Sequence, residues 1–352
     1  ISDSILIITS RNFSNFKIAS DVSYISLEPA LTGAQVNGLL ARYSKKIGPD
    51  PASINAAMIG GIAANNASGM CCGISQNSYK TLKSMKLIFS DGTKLDTSCE
   101  KSKDSFRKTH DEFLKDLKSF SEETKTNEEL RAKIERKYKI KNTCGYSLNS
   151  LIDFDDEFEI LEHLIIGSEG TLAFIEEITY YTVEDLKDKA STLIYFKDIK
   201  EACSAVTKLK LAKEAKTINV EAVELMDRAG LASIENDPAM PVFIKDFDEK
   251  VTALLIETRA ISDEQLDIQT AQIEELLSEF SVVRDIYFTK NVAEYTLYWK
   301  IRKGLFPAVG AVRETGTTVL IEDVAYPIEY LAEAKLELQE LFKKHNYSEA
   351  LI

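Results

Sequence analysis

The sequence holds little with which to bind a metal. Its three histidines are scattered at 110, 163 and 345, and its five cysteines (71, 72, 99, 144, 203) form an odd set with no CxxC spacing. Reduced thiols are the default, and the adjacent Cys71-Cys72 pair reads as small packing residues before it reads as a redox pair. Positive charge is also short: 43 Lys and Arg against 56 Asp and Glu give a net charge of −13. Phosphate binding needs a basic face, so a nucleic-acid partner is disfavoured. Apolar runs such as Ile5-Leu6-Ile7-Ile8 fall far short of a membrane span, and the first residues lack a signal-peptide layout. The chain therefore reads as cytoplasmic. There is no G-x-G-x-x-G after a strand, no G-x-x-x-x-G-K-[ST], no H-E-x-x-H and no G-x-S-x-G. Nicotinamide-Rossmann, P-loop, zinc-protease and serine-hydrolase chemistries lose support together.

What remains is an ordinary globular composition, 44% apolar and 28% charged over 352 residues, enough for two domains. Over the first 185 residues the pattern predicts short strands (4–9, 23–28, 83–90, 93–97, 171–182) with helices at 33–46, 103–120 and 122–138. Asp91-Gly92 is a hairpin turn. The Lys- and Glu-rich pair of helices reads as a solvated excursion. A polar stretch, 183–189, serves as linker. Beyond it, with helix 227–236 set as an insertion between the central strands, come strand 191–197, helix 198–214, strand 217–225, strand 250–257, helix 262–279 and strand 281–288. This is the β-α-β-β-α-β order of a ferredoxin-like antiparallel sheet. Helix 290–304, strand 316–324 and helix 328–344, opened by Pro327, complete it. Ile1 falls in mid-strand and Ile352 on an incipient one, so both ends are expected to continue into a longer chain.

Four segments carry chemistry. The first joins Pro49-Asp50-Pro51 to Ile59-Gly60-Gly61-Ile62-Ala63-Ala64-Asn65-Asn66-Ala67-Ser68-Gly69. Turn formers, paired glycines and small residues let backbone approach a flat, phosphate-bearing ligand, though the same residues serve ordinary tight packing. The second, Gly167-Ser168-Glu169-Gly170-Thr171-Leu172, is a tight turn whose N–H groups can face a ligand, or a plain strand entry. In the third, Gly145-Tyr146-Ser147-Leu148, Tyr146 can stack on a ring or fill the core. The fourth sets Arg302 one turn from Trp299, the sole tryptophan, with Glu322-Asp323 twenty residues on. Such an Arg suits a bidentate carboxylate clamp; a surface ion pair with Glu294 or Glu322 is the plainer use. Glu322 and Asp323 read equally as a strand-end hydrogen-bonding pair.

In this order the segments resemble the FAD-linked oxidases of the vanillyl-alcohol oxidase superfamily, and within it the bacterial D-lactate and D-2-hydroxyacid dehydrogenases of the iron–sulfur type. The resemblance implies an α+β fold: a partial FAD-binding (PCMH-type) domain at 1–185, its first subdomain lying before Ile1, then a ferredoxin-like antiparallel-sheet cap domain at 186–352, truncated before a His-rich motif. It implies FAD held by Pro51, Gly60, Gly61, Asn66, Ser68, Gly69, Gly170 and Ile175, with Arg302 and Glu322 on the catalytic side; with three scattered histidines, no metal is expected within this chain. Ser68 and Ala30 stand where many relatives have glycine. Any iron–sulfur cluster would sit in a region outside this chain. The implied reaction is hydride transfer from the α-carbon of a D-2-hydroxy acid, D-lactate foremost, to flavin N5, with a base taking the hydroxyl proton. A quinone or cytochrome-type electron acceptor and a location in the cytoplasm or at the inner membrane's periphery belong to the full-length enzyme. The alternatives are a D-2-hydroxyglutarate or glycolate dehydrogenase, with Lys300, Lys303 or Arg313 as a second cation, and a fragment that is inactive and serves as a binding scaffold.

Overall fold

The computed structural model describes residues 6–69, 71, 73–143, 145–235, 241–300, 302, 316 and 326–347. Its contacts divide the chain into two compact units, Ile1–Asp185 and Leu186–Ile352.

The first unit is built on one antiparallel sheet in the order β1 (Phe16–Ile18), β2 (Tyr24–Leu27), β6 (Phe174–Glu184), β4 (Leu82–Ile88), β5 (Lys94–Asp96), with β3 (Lys45–Ile47) paired to the far end of β6. The last strand in sequence is thus central, and Ile178 and Tyr180 on it are fully buried. β4 and β5 form the expected hairpin: Gly92 takes φ +85° and the Asp91 carboxylate accepts from Thr93 N–H and hydroxyl. Helix α1 (Gly33–Leu40) starts in a capping box between Thr32 and Gln35. It stops well short of residue 46, because left-handed Ser44 (φ +55°) reverses the chain into β3. Asn37 Oδ1 then accepts from Ile47 N–H at 3.0 Å, and Ile47 is buried in the core.

No strand forms over the described part of 4–9. Leu6, Ile7 and Ile8 are exposed, and a single 3-10 turn follows at Thr9–Arg11. The Lys- and Glu-rich excursion is three helices, not two: α4 (Glu100–Thr109), α5 (Asp111–Thr126) and α6 (Glu128–Lys137). His110 breaks the first pair and stacks on Phe106 at 4.2 Å; Asn127 caps α6. Nor is it wholly solvated, since Leu114, Leu117, Ser121 and Thr124 bury one face of α5 and Ser121 donates to Leu151 O. A helix that the apolar pattern left unread, α8 (Glu157–Ile165), is capped by Asp156 and buries its own Glu162 and His163. The short helices α2 (Ile59–Asn65), α3 (Ser78–Thr81) and α7 (Ser150–Asp153) fill the remaining connections.

In the second unit β7 (Asp188–Phe196), β9 (Thr252–Ala260) and β8 (Ala222–Met226) pair antiparallel in that spatial order. The strand expected at 281–288 is reduced to two bridges on β7, Phe196 to Val282 and Ser191 to Thr289. Its place beside β7 nevertheless completes the ferredoxin-like order. The strand expected over 217–225 starts only at Ala222, after left-handed Lys216; the one expected at 316–324 lies outside the described residues. β9 is buried on both faces. Leu254 and Ile256, with Ile194 and Phe196, pack under α9 (Ile199–Glu214) and α11 (Asp263–Leu277). Ala253 and Leu255, with Tyr195 and Met226, pack on the other face with Leu231 of α10 (Arg228–Ile234) and with Leu297, Tyr298 and Trp299 of α12 (292–300). The last helix is α13 (Leu331–Lys344), preceded by Pro327 and a 3-10 turn. No helix among the described residues is long and apolar enough to cross a membrane.

Candidate functional site

In the first unit, two glycine-bearing segments a hundred residues apart meet end to end. Helix α2 runs through Gly60 and Gly61 and leaves unpaired carbonyls at its C-terminal end, as every helix must. Two carbonyls there accept from the second segment: Gly167 N–H donates to Ala63 O at 3.1 Å, which Asn66 N–H also reaches at 3.0 Å, and Glu169 N–H donates to Ala64 O at 2.9 Å. Asn65 Nδ2 adds a 2.6 Å bond to Glu169 Oε1. Positive φ at Gly167, Glu169 and Gly170 gives the loop the curl that this docking needs. Tyr146, from the third segment, joins through a 2.9 Å hydroxyl contact with Thr171.

Beside this junction lies a cavity of about 280 Å³ lined by Thr9, Pro29, Met58, Gly60, Gly61, Ala64, Ser168, Gly170, Ala173, Phe174 and Ile175. Four residues expected on the cofactor, Gly60, Gly61, Gly170 and Ile175, are therefore brought together. The two neighbouring glycines differ in kind. A Cβ on Gly60 would sit 2.7 Å from Pro29 Cβ, so close packing accounts for it; a Cβ on Gly61 would meet nothing within 4 Å. Gly170 is also open, with φ +74°. Ser168, also in the lining, is 2 % exposed, and its buried Oγ has no hydrogen-bond partner among the described residues. A buried hydroxyl without a partner costs free energy until a ligand supplies one. The sequence motif contains Ser168 without singling it out; a hydroxyl between two turn glycines is the available signal.

The other four expected residues do not line this cavity. Pro51 is buried, and its carbonyl accepts from Ile54 N–H. Gly69 N–H donates to Asp50 Oδ1 at 3.0 Å, and a Cβ there would lie 1.8 Å from Asp50 O. Asn66, left-handed at φ +50°, ends α2 and accepts from Tyr79 N–H with its side chain. Ser68 is buried in the same turn. Tyr79 continues the support through a 2.8 Å bond to Asp153 and an edge contact with His163, whose imidazole is held below its usual pKa by burial. The flavin expected from the sequence fits what the cavity offers: apolar walls, room where two glycines lack side chains, and one buried donor in want of an acceptor. Its volume suits part of such a ligand.

The second unit carries Arg302. Its Nε donates to Glu224 Oε2 at 2.8 Å, and Glu224 is its partner among the described residues, in place of the Glu294 considered above. Glu294 instead accepts from the Tyr298 hydroxyl. Glu322, with Asp323, lies outside the described residues, as does Cys72. Next to the Arg302 pair, Glu257 is 2 % exposed yet fully engaged: it accepts from Ser191 Oγ, from Trp299 Nε1 at 2.6 Å and from the Arg259 guanidinium. Neither Glu224 nor Glu257 was singled out in the sequence, where both read as unremarkable strand carboxylates.

Comparison with known proteins places both units. A model described as FAD binding domain matches residues 1–98, and one described as FAD linked oxidases, C-terminal domain, matches residues 186–352. A mitochondrial D-lactate dehydrogenase [cytochrome] of Arabidopsis thaliana is 29% identical over 178 residues, 49% of this chain and 28% of its own length. A probable mitochondrial D-2-hydroxyglutarate dehydrogenase of Oryza sativa subsp. japonica is 30% identical over 175 residues, 46% of this chain and 29% of its own. The chain thus spans under a third of the length of these relatives. Among solved structures, alkyldihydroxyacetonephosphate synthase superposes with a TM-score of 0.54 at 14% identity, over 85% of this chain and 44% of that one. At that identity the likeness is one of fold.

Proposed function

Since this chain belongs to the FAD-linked oxidases, we propose that it is part of a flavoenzyme that oxidises a D-2-hydroxy acid, D-lactate foremost, to the 2-keto acid. The observation that carries this reading is the first-unit cavity, where Gly61 and Gly170 leave room and Ser168 Oγ is buried without a partner. When bound there, FAD supplies the two-electron acceptor that this chain's own side chains lack. The chain's part is to hold and to orient. Gly61 and Gly170 let backbone come within van der Waals reach of a flat ligand, Ser168 donates one hydrogen bond, and Phe174 and Ile175 exclude water from the apolar side. In the second unit Arg302 pairs with the substrate carboxylate, which fixes the hydroxyl-bearing carbon relative to it. Asn66, Ser68 and Gly69 support the cofactor from the turn after α2 and Pro51 from the loop before it, and Glu322 serves on the substrate side. A quinone or cytochrome-type acceptor takes the electrons onward; the Arabidopsis relative's name gives a cytochrome for that enzyme.

A D-2-hydroxyglutarate dehydrogenase is the second reading, prompted by the rice relative. A dicarboxylate asks for a second cation; Arg259 is paired with Glu257, and of the candidates named above Lys303 and Arg313 lie outside the described residues. The test is the purified full-length protein: flavin absorbance in the visible is expected, with turnover on D-lactate exceeding that on D-2-hydroxyglutarate and glycolate. Protein free of flavin that takes none up would overturn the flavoenzyme reading, and preference for the dicarboxylate would overturn the substrate.

A further inference from the structure

One face of the second-unit sheet binds α12 through two carboxylates. The register sets Glu224 on β8 opposite Leu255, and Glu257 on β9 opposite Ser191. Side chains directly opposite share a face, so Glu224 and Glu257 stand on the same side as Tyr195 and Ala253, where Leu297, Tyr298 and Trp299 of α12 pack. Trp299 and Arg302, three residues apart, are neighbours on one helical face. Each donates to a different strand: Trp299 Nε1 to Glu257 at 2.6 Å, and Arg302 Nε to Glu224 at 2.8 Å.

We propose that Glu224 is a positioning residue for Arg302, orienting the guanidinium so that its two terminal nitrogens receive the substrate carboxylate. The proposal rests on the reading that Arg302 binds that carboxylate. Guanidinium has five N–H donors in a rigid plane, and Glu224 engages the one on Nε. Once Nε is anchored, rotation of the plane is restricted, and the fork of terminal N–H groups remains for end-on, bidentate pairing with a second carboxylate. The Glu224 side chain is 15 % exposed, so solvent competes little for its oxygens. Glu257 performs the parallel task for the helix: neutralised by Arg259, it pins the Trp299 indole and thereby the turn from which Arg302 extends. An acidic residue beside a substrate-binding cation weakens its attraction for anions, so placement is what Glu224 contributes.

The experiment is equilibrium binding of pyruvate, the product acid, to the full-length protein, followed by calorimetry and by the emission of Trp299. Glu224→Ala is expected to raise the dissociation constant for pyruvate and the KM for D-lactate roughly tenfold or more, as loss of a hydrogen bond to a charged group does, with a smaller change in kcat. Glu224→Gln keeps an acceptor for Nε and is expected to restore most of the binding. Should the Ala variant fail to fold, Glu224→Asp, which withdraws the acceptor by one methylene, is expected to fall between the two. Arg302→Gln separates the two levels of argument. If it leaves pyruvate binding unchanged, the carboxylate-clamp reading of Arg302 fails. If it abolishes binding while Glu224→Ala and Glu224→Asp bind as the parent does, the clamp stands and the positioning role of Glu224 is overturned.

Discussion

Gly61→Ala separates a glycine kept for a ligand from one kept for packing. Gly61 is the third residue of α2, and the added methyl would meet no atom within 4 Å. Alanine inside a helix is favoured over glycine by about 0.5–1 kcal/mol, because glycine loses more backbone entropy on folding. For a unit of this size that corresponds to a rise in melting temperature of about 1–4 °C. The same methyl occupies the cavity beside Ser168 and Gly170. Overpacking by one methyl costs roughly 1–3 kcal/mol where the neighbours cannot shift, so flavin binding should weaken about 5- to 150-fold. Gly60→Ala is the control: its methyl lies 2.7 Å from Pro29 Cβ, so it should lower the melting temperature. The assay is thermal unfolding without flavin, followed by flavin titration of the full-length variants. A Gly61→Ala protein that melts lower than the parent would refute the open-space argument. One that melts higher but binds flavin as tightly would show that the cofactor lies elsewhere.

Gly69→Ala should destabilise the first unit strongly, since its Cβ would fall 1.8 Å from Asp50 O; denaturant unfolding measures the loss. Glu162 on α8 has its carboxyl pushed up from 4.5 to about 7, chiefly by burial. Its folded form therefore holds a proton that the unfolded chain releases, so its contribution is fully present below about pH 4.5 and lost as pH rises through about 7. Glu162→Gln should remove this dependence and gain up to roughly 3 kcal/mol relative to the parent at pH 8, read from urea unfolding at several pH values. Equal parent-to-variant differences at pH 4 and 8 would contradict it. Glu257→Ala should cost about 3–5 kcal/mol, because Arg259 and the Trp299 indole lose a buried acceptor; a red shift of Trp299 emission in the folded variant accompanies it.

Much of the secondary structure was legible because it rests on local chemistry. The Asp91-Gly92 hairpin and the long helices α9 and α11 depend on side-chain spacing within a few residues. Misreadings arose where a distant partner decided the outcome. Leu6-Ile7-Ile8 has strand composition but no described strand beside it, the helix after α1 yields to the pairing of β3 with β6, and α8 buries Glu162 and His163, whose polarity hid its inward face. On the site, the motif order pointed to glycines, and the cavity gathers Gly60, Gly61, Gly170 and Ile175 but not Pro51, Asn66, Ser68 or Gly69.

The sequence by itself determined the kind of ligand this chain suits, since paired glycines, a Gly-Ser-Glu-Gly turn and a Trp-x-x-Arg segment state what backbone and charge can be offered. Only tertiary structure decided which of those residues offer it. Gly60 and Gly61 are chemically identical neighbours, yet one abuts Pro29 and the other faces open space. Helix α2 and residues 167–170 become one surface only when carbonyls at the helix end meet amides a hundred residues away. Arg302 meets its partner among the described residues, Glu224, 78 residues earlier in the chain on a strand. Donor and acceptor types are written locally, but a hydrogen bond of 2.8 Å requires the fold to deliver both ends.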